Sequence, residues 1–362
     1  MVDWRNPPRL FIPGPVQVYD DVLKQLARPT LGHRGKEYAQ LHQETVDLLK
    51  KVLFTEQHVF LSTSSASGIW EACIRNCVRP DETVLATCCG AFSDKWGEVV
   101  GTCGRKVDLL KVDWGKATTP ELIGQKLSTG KYAAITLVYS ETSTGLINPV
   151  YEIAEMMKAK YPDVLVFVDA VSAMVGMPLH FDRLGWDVAF ASVQKAFALP
   201  PGFAVAAVSK RALEKSKTVP DRGYYFNFEL WAESAEKNQT LVTPSIPHIF
   251  GLRYQAEKLV NEGMETVWKR HQQMADYVRT WAKSRFGLFC EERYASNTLT
   301  TVKNTRNVKI AEVISAVQKK HNTAFGNGYG KLKDVTFRIA HMGDISLADV
   351  KELTGWIDEE VK

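Results

Sequence analysis

The stretch VLVFVDAV, residues 164–171, holds five consecutive apolar residues before it admits an aspartate, and that pattern narrows the folds open to the chain. A strand with one wet face alternates apolar and polar side chains. A strand buried on both faces does not, and it belongs in a sheet covered by helices on each side. Further short β-rich runs occur at HVFLSTS (58–64), ETVLATC (82–88), KYAAITLVYS (131–140), WDVAFASV (186–193) and GFAVAAVS (202–209). Between them lie helical periods. KEYAQLHQETVDLLKKVLF (36–54) gathers Leu41, Thr45, Leu48, Leu49 and Val52 on one face, and ASGIWEACIRNCV and VYEIAEMMKAKY follow the same rule. The expectation is an α/β domain with a largely parallel sheet.

After about residue 250 the character changes. Two long amphipathic helices, HIFGLRYQAEKLVNEG and METVWKRHQQMADYVRTWAKSR, lead into a smaller α+β unit that ends in VTFRIAHM and SLADVKELTGWIDEEVK. The expected division is an N-terminal arm (1–18), a large domain (19–255) and a small C-terminal domain (256–362). Pro7, Pro8, Pro13 and Pro15 argue against regular structure in the arm.

Composition removes several classes of function. With 45% hydrophobic and 24% charged residues the chain is of ordinary globular character, and its net charge of +4 is scattered, which leaves no footprint for nucleic acid or a membrane surface. No apolar run approaches the roughly 20 residues needed to span a bilayer, and the opening residues lack a signal-peptide pattern. Six cysteines occur without paired CxxC knuckles, so reduced thiols in a cytoplasmic enzyme are expected. Cys73 and Cys77 lie one helical turn apart, but no further ligand stands at a usable spacing, and no metal is expected.

In an α/β sheet, ligands collect beyond the carboxyl ends of the strands. Asp169, Thr142 and Lys195 stand at or just past such ends, and STSSASG (62–68) offers backbone N–H groups at a helix N-terminus, a seat for phosphate. A lysine shielded from water becomes a nucleophilic amine that forms a Schiff base with an aldehyde. An aspartate at a neighbouring strand end holds a pyridine nitrogen protonated and makes the ring an electron sink. Together these imply pyridoxal 5′-phosphate. Singly, each has an ordinary reading: Lys195 as a solvated loop residue, Asp169 as a turn cap, STSSASG as an N-cap. A binding module for a phosphorylated metabolite, with Lys195 as a mere phosphate cation, is the alternative from another class.

The motifs FIPGPVQV (11–18), LGHRGKEY (31–38), STSSASGIWEA (62–72), GAFSDKWGE (90–98), ETSTG (141–145), VFVDAVSAM (166–174), SVQKAFALPPG (192–202), VTPSIPHIFGLR (242–253) and TFRIAHMGD (336–344) stand in an order that resembles the class V aminotransferases, in particular the alanine:glyoxylate, serine:glyoxylate and serine:pyruvate branch. The resemblance implies the aspartate-aminotransferase fold (pyridoxal-phosphate fold type I), with a mostly parallel seven-stranded sheet in the large domain. It implies that Lys195 forms the Schiff base and then moves the proton, that Asp169 pairs with the pyridinium nitrogen, that Phe92 stacks on the cofactor and that Thr142 bonds its phenolic oxygen. Ser65, Ala66, Ser67 and Gln194 would hold the phosphate, with Thr243 reaching in from the second subunit of a homodimer with composite sites. Arg338 would grip the substrate α-carboxylate, for which a bidentate guanidinium is suited. Gly14, with Pro15 beside it, and His33 and Arg34 would read the side chain of an amino acid or 2-oxo acid. Phosphoserine transaminases carry a similar His-Arg pair facing a phosphate, so phosphoserine with 2-oxoglutarate is the second expectation: an uncommitted Arg34 favours it, and an Arg34 paired with a carboxylate favours alanine or serine. Two departures from the family pattern stand out, Ser65-Ala66-Ser67-Gly68 where more glycine is usual and Ala340 where glycine is frequent.

Overall fold

The apolar runs become adjacent strands in the computed structural model, which describes residues 6–361; residues 1–5 of the expected arm lie outside the described residues. In chain order the strands are β1 (Arg9–Phe11), β2 (His58–Ser62), β3 (Thr83–Cys88), β4 (Lys106–Lys111), β5 (Ala134–Val138), the short pair β6 (Ser140–Glu141) and β7 (Leu146–Ile147), β8 (Leu165–Asp169), β9 (Val188–Ser192), β10 (Ala204–Val208), β11 (Gly287–Leu288), β12 (Leu299–Lys303), β13 (Thr323–Asn327) and β14 (Thr336–Ala340). One sheet has the order β2-β10-β9-β8-β5-β3-β4. Its pairs from β9 to β4 are parallel, and β10 runs antiparallel to both neighbours.

The two-faced apolarity has a direct cause. Along β8, Val166 and Val168 enter one hydrophobic core while Leu165 and Phe167 enter another on the opposite face. Ile135 and Leu137 of β5 divide from Ala134 and Val138 in the same way. Charged residues are therefore met only where such strands end, as at Asp169 of β8. β4 carries no such signature in the sequence, because as an edge strand it alternates between exposed and half-buried positions.

A second sheet, ordered β1-β13-β14-β12-β11, packs against helices Met264–Arg285, Ile310–His321 and Leu347–Glu360 through Met274, Val278, Val317 and Leu353. The absence of regular structure expected in the arm is corrected here. Arg9, Leu10 and Phe11 pair in parallel with β13, and Phe11 is fully buried. Proline lacks an N–H and is excluded from a ladder's interior, yet an edge strand fits between Pro8 and Pro13. Arg9 ties it to the C-terminal helix, with Glu352 at 2.9 Å and Asp349 also bonded. The residue 255/256 boundary falls inside helix Ile246–Glu262, whose end is marked by Gly263 at φ 82°. Among the described residues, no helix is long and apolar enough to cross a membrane, and all six cysteines are buried thiols.

Candidate active site

Lys195 follows the end of β9 and is 9% exposed. Its turn is closed by Ala198 N–H donating to the Lys195 carbonyl at 2.8 Å, with Ala198 in the left-handed region at φ 53°. The amine donates to the Pro13 carbonyl. Gly14 must be glycine here: its φ is +118°, and a Cβ would lie 2.7 Å from Lys195 Nζ. Burial, and after it the charge of Arg338, depress the amine from its ordinary value to about 8, against the opposing pull of Asp169. Such an amine is available unprotonated near neutrality.

Asp169 ends β8 and is 4% exposed. Trp70 Nε1–H donates to Oδ2 and Val171 N–H to Oδ1, both at 2.8 Å. Burial raises the carboxyl to about 6 although these two bonds pull it down. Each oxygen retains acceptor capacity.

Arg338 lies in β14 of the second sheet, so the crevice is built between the two sheets. It donates Nε–H to the Asn327 carbonyl at 3.0 Å and Nη1–H to the Thr142 carbonyl at 3.4 Å. No carboxylate among the described residues pairs with it. Burial lowers its pKa to about 10. A half-buried guanidinium with an open donor edge is a seat for an anion. Thr142 Oγ1 shares a 2.5 Å hydrogen bond with Ser172 Oγ.

The helix Ala66–Cys77 begins at Ser65, whose side chain makes no capping bond. Ser65 and Ser67 are exposed, whereas Ala66 is buried and its N–H is committed to Ser192 Oγ at 2.7 Å. Gln194 is half-buried, and its Oε1 is a buried atom with no partner among the described residues. An uncapped helix start suits an anion, and Gln194 can meet one only through its Nε2–H donors, because Oε1 is itself an acceptor. With a buried acid and a buried amine nearby, these groups fit the phosphate, the ring nitrogen and the aldehyde of pyridoxal phosphate. Phe92 stacks on Tyr329, with centroids 5.2 Å apart and planes at 29°.

His33, Arg34 and Thr243 form a separate cluster. Exposed Thr243 lies 3.4 Å from His33 Nε2. Arg34 pairs with no carboxylate among the described residues, nor is it uncommitted: Nη1 donates to Gln239 Oε1 at 2.9 Å and the Thr240 carbonyl at 2.8 Å, and Nη2 to the Leu241 carbonyl at 3.0 Å. Sequence reasoning missed Trp70, Tyr329 and Glu141. Glu141 is fully buried and accepts from the N–H groups of Phe92 (3.3 Å), Ser93 (2.9 Å) and Ser143 (3.1 Å), fixing the helix start that carries Phe92. The only signal in the sequence was a lone acid just after an apolar run, because the helix start it serves lies 49 positions away.

Comparison with known proteins identifies the family. The family model described as aminotransferase class-V matches residues 15–330. The chain is 31% identical to an L-aspartate–glyoxylate aminotransferase of Paracoccus denitrificans, over 97% of this chain and 89% of that protein. It is 31% identical to a serine–glyoxylate aminotransferase of Methylorubrum extorquens, over 96% and 89%. The crystal structure of an alanine–glyoxylate aminotransferase from Nostoc sp. superposes with a TM-score of 0.93 at 26% identity, covering 100% of this chain and 96% of that one.

Proposed function

Because the chain belongs to the class V aminotransferases, pyridoxal-phosphate enzymes of the aspartate-aminotransferase fold, we propose that it transfers an amino group from alanine or serine to glyoxylate or pyruvate in a ping-pong exchange. The observation that carries the transaminase reading is a buried amine, Lys195, just past the end of β9, beside the paired strand β8 that ends in buried Asp169. When bound, the cofactor supplies the electron sink that makes the substrate α-hydrogen acidic. Lys195 would anchor it and would supply, at Nζ, the base that takes the α-proton. Asp169 would hold the ring nitrogen protonated, Thr142 would bond the phenolic oxygen, and Phe92 would cover the ring. Ser65, Ser67 and the Nε2–H donors of Gln194 would hold the phosphate, whereas the Ala66 N–H is already bound to Ser192 Oγ.

Arg338 receives the α-carboxylate common to donor and acceptor. Gly14 lets the backbone of the arm pass directly beside Lys195, where its lack of a side chain leaves the amine accessible. The relatives named above share glyoxylate as acceptor and differ in donor, which supports the acceptor more than the donor. Phosphoserine with 2-oxoglutarate draws less support, because three bonds to residues 239–241 occupy Arg34. His33 and exposed Thr243 would act across a two-fold dimer, with cytoplasmic residence.

The test is a panel of alanine, serine, aspartate and phosphoserine against glyoxylate, pyruvate and 2-oxoglutarate, with the yellow holoenzyme followed by absorbance. Turnover is expected first with alanine or serine and glyoxylate. A preference for phosphoserine and 2-oxoglutarate would overturn the substrate assignment, and a colourless protein with no spectral response would overturn the enzyme reading.

A further inference from the structure

The residues between β13 and β14 bring a tyrosine to the mouth of the crevice. Asn327 braces this connection: its Oδ1 accepts from Gly328 N–H at 2.7 Å and Asp334 N–H at 3.0 Å, and its Nδ2 donates to Asp334 Oδ1 at 2.7 Å. At Gly328 a Cβ would lie 1.9 Å from the Leu332 carbonyl oxygen, so the tight path depends on glycine. Lys331 places its amine 4.1 Å from the Trp114 ring centroid, and Trp114 donates to Asp94 Oδ2 at 3.0 Å. These contacts dock the connection on the segment that carries Phe92.

Tyr329 is 44% exposed, stacks on Phe92 and lies with its ring centroid 5.4 Å from Arg338 Cζ. The Asn327 and Thr142 carbonyls engage only Nε and Nη1 of that guanidinium. A carboxylate beside Arg338 would steady it but would also neutralise it and compete for its donors. An aromatic face attracts the cation and leaves the N–H fork open.

We propose that Tyr329 is a positioning residue for Arg338, its ring holding the guanidinium plane ready for a substrate α-carboxylate and, through Phe92, tying that grip to the cofactor side of the site. The inference rests on the reading of Arg338 as the carboxylate seat. It explains why an exposed aromatic side chain stands on a braced connection.

The experiment titrates the holoenzyme with 2-methylalanine, which carries the α-carboxylate but no α-hydrogen, and reads the cofactor absorbance at equilibrium. KM and kcat are measured beside it with the best amino donor. Tyr329→Leu is expected to weaken 2-methylalanine binding and raise KM by about five- to tenfold, with kcat changed less than about threefold. Tyr329→Phe, which keeps the ring, restores wild-type values. Unchanged cofactor absorbance per chain reports a folded variant, and Tyr329→Ala supplies the same comparison should the leucine variant not load. Wild-type binding in both aliphatic variants, or equal impairment in Tyr329→Phe, overturns this inference alone. A wild type that binds no 2-methylalanine overturns the reading of Arg338 and this inference with it.

Discussion

Around the crevice, Asp169 and Lys195 at strand ends and half-buried Arg338 in the middle of β14 are ionisable groups drawn out of water without enough protein partners to satisfy them. Deeper in the same molecule, His271 and His341 are buried just as thoroughly, yet every ring nitrogen is engaged. His271 donates Nδ1–H to the Val267 carbonyl at 2.7 Å and accepts Gly343 N–H at Nε2, 3.2 Å. His341 donates Nδ1–H to the Asn297 carbonyl at 3.1 Å and accepts from Thr300 Oγ1 at 2.9 Å. Burial alone therefore does not mark a functional group. A buried polar network closed on itself is structural, whereas one with unfilled donors and acceptors is shaped for a partner that arrives later.

The sharpest way to break this contrast is to empty one position on each side. Lys195→Ala is expected to reduce transamination by about ten-thousand-fold, since it removes both the covalent anchor and the base, while leaving the fold and the melting temperature close to wild type. Steady-state assay with thermal unfolding checks both halves. Retained activity would put Lys195 with the structural group. Arg338→Lys is the milder test on the same side: a single ammonium cannot reproduce the planar fork, so KM for donor and acceptor should rise about 10- to 100-fold, with a smaller change in kcat. Equal KM values would mean that the guanidinium serves the connection through Asn327 and not the substrate.

How much of this was legible in the sequence follows from where the physics is local. The strands could be read because residues such as Val166 and Phe167 face separate cores within one short run. Asp169 and Lys195 could be placed because a charged residue just beyond such a run has only the strand end to occupy. β1 could not, since its pairing with β13 joins residues more than three hundred positions apart and its flanking prolines point the other way. Trp70 is an ordinary helical aromatic until the fold carries its indole across 99 positions to Asp169. Tyr329 carries no local signal either, because its meaning depends on Phe92, supplied by helix Ala91–Thr102, and Arg338, supplied by β14. Arg34 showed the reverse: the motif was visible, but its three acceptors at 239–241 were not.

The finest distinction between the two regions lies in the sign of their response to acid. Burial holds His271 and His341 down to about 3, so both stay neutral in the folded chain at pH values where the unfolded chain protonates them. Their contribution to stability is complete above about pH 6.5 and is lost as pH falls toward those depressed values, at about 1.4 kcal/mol per histidine for each pH unit well below 6.5. Asp169 has the opposite sign. Raised to about 6, it favours folding most below its ordinary value near 3.8, and that contribution disappears as pH rises through 6. His341→Gln keeps a donor and an acceptor but cannot titrate. Denaturant unfolding of this variant between pH 5 and 6 should give a stability slope shallower than wild type by about one proton, with kcat at pH 7.5 unchanged. An unaltered slope would mean that His341 is as open to protons when folded as when unfolded, and the closed network behind Gly343 would then be no different in kind from the crevice in front of it.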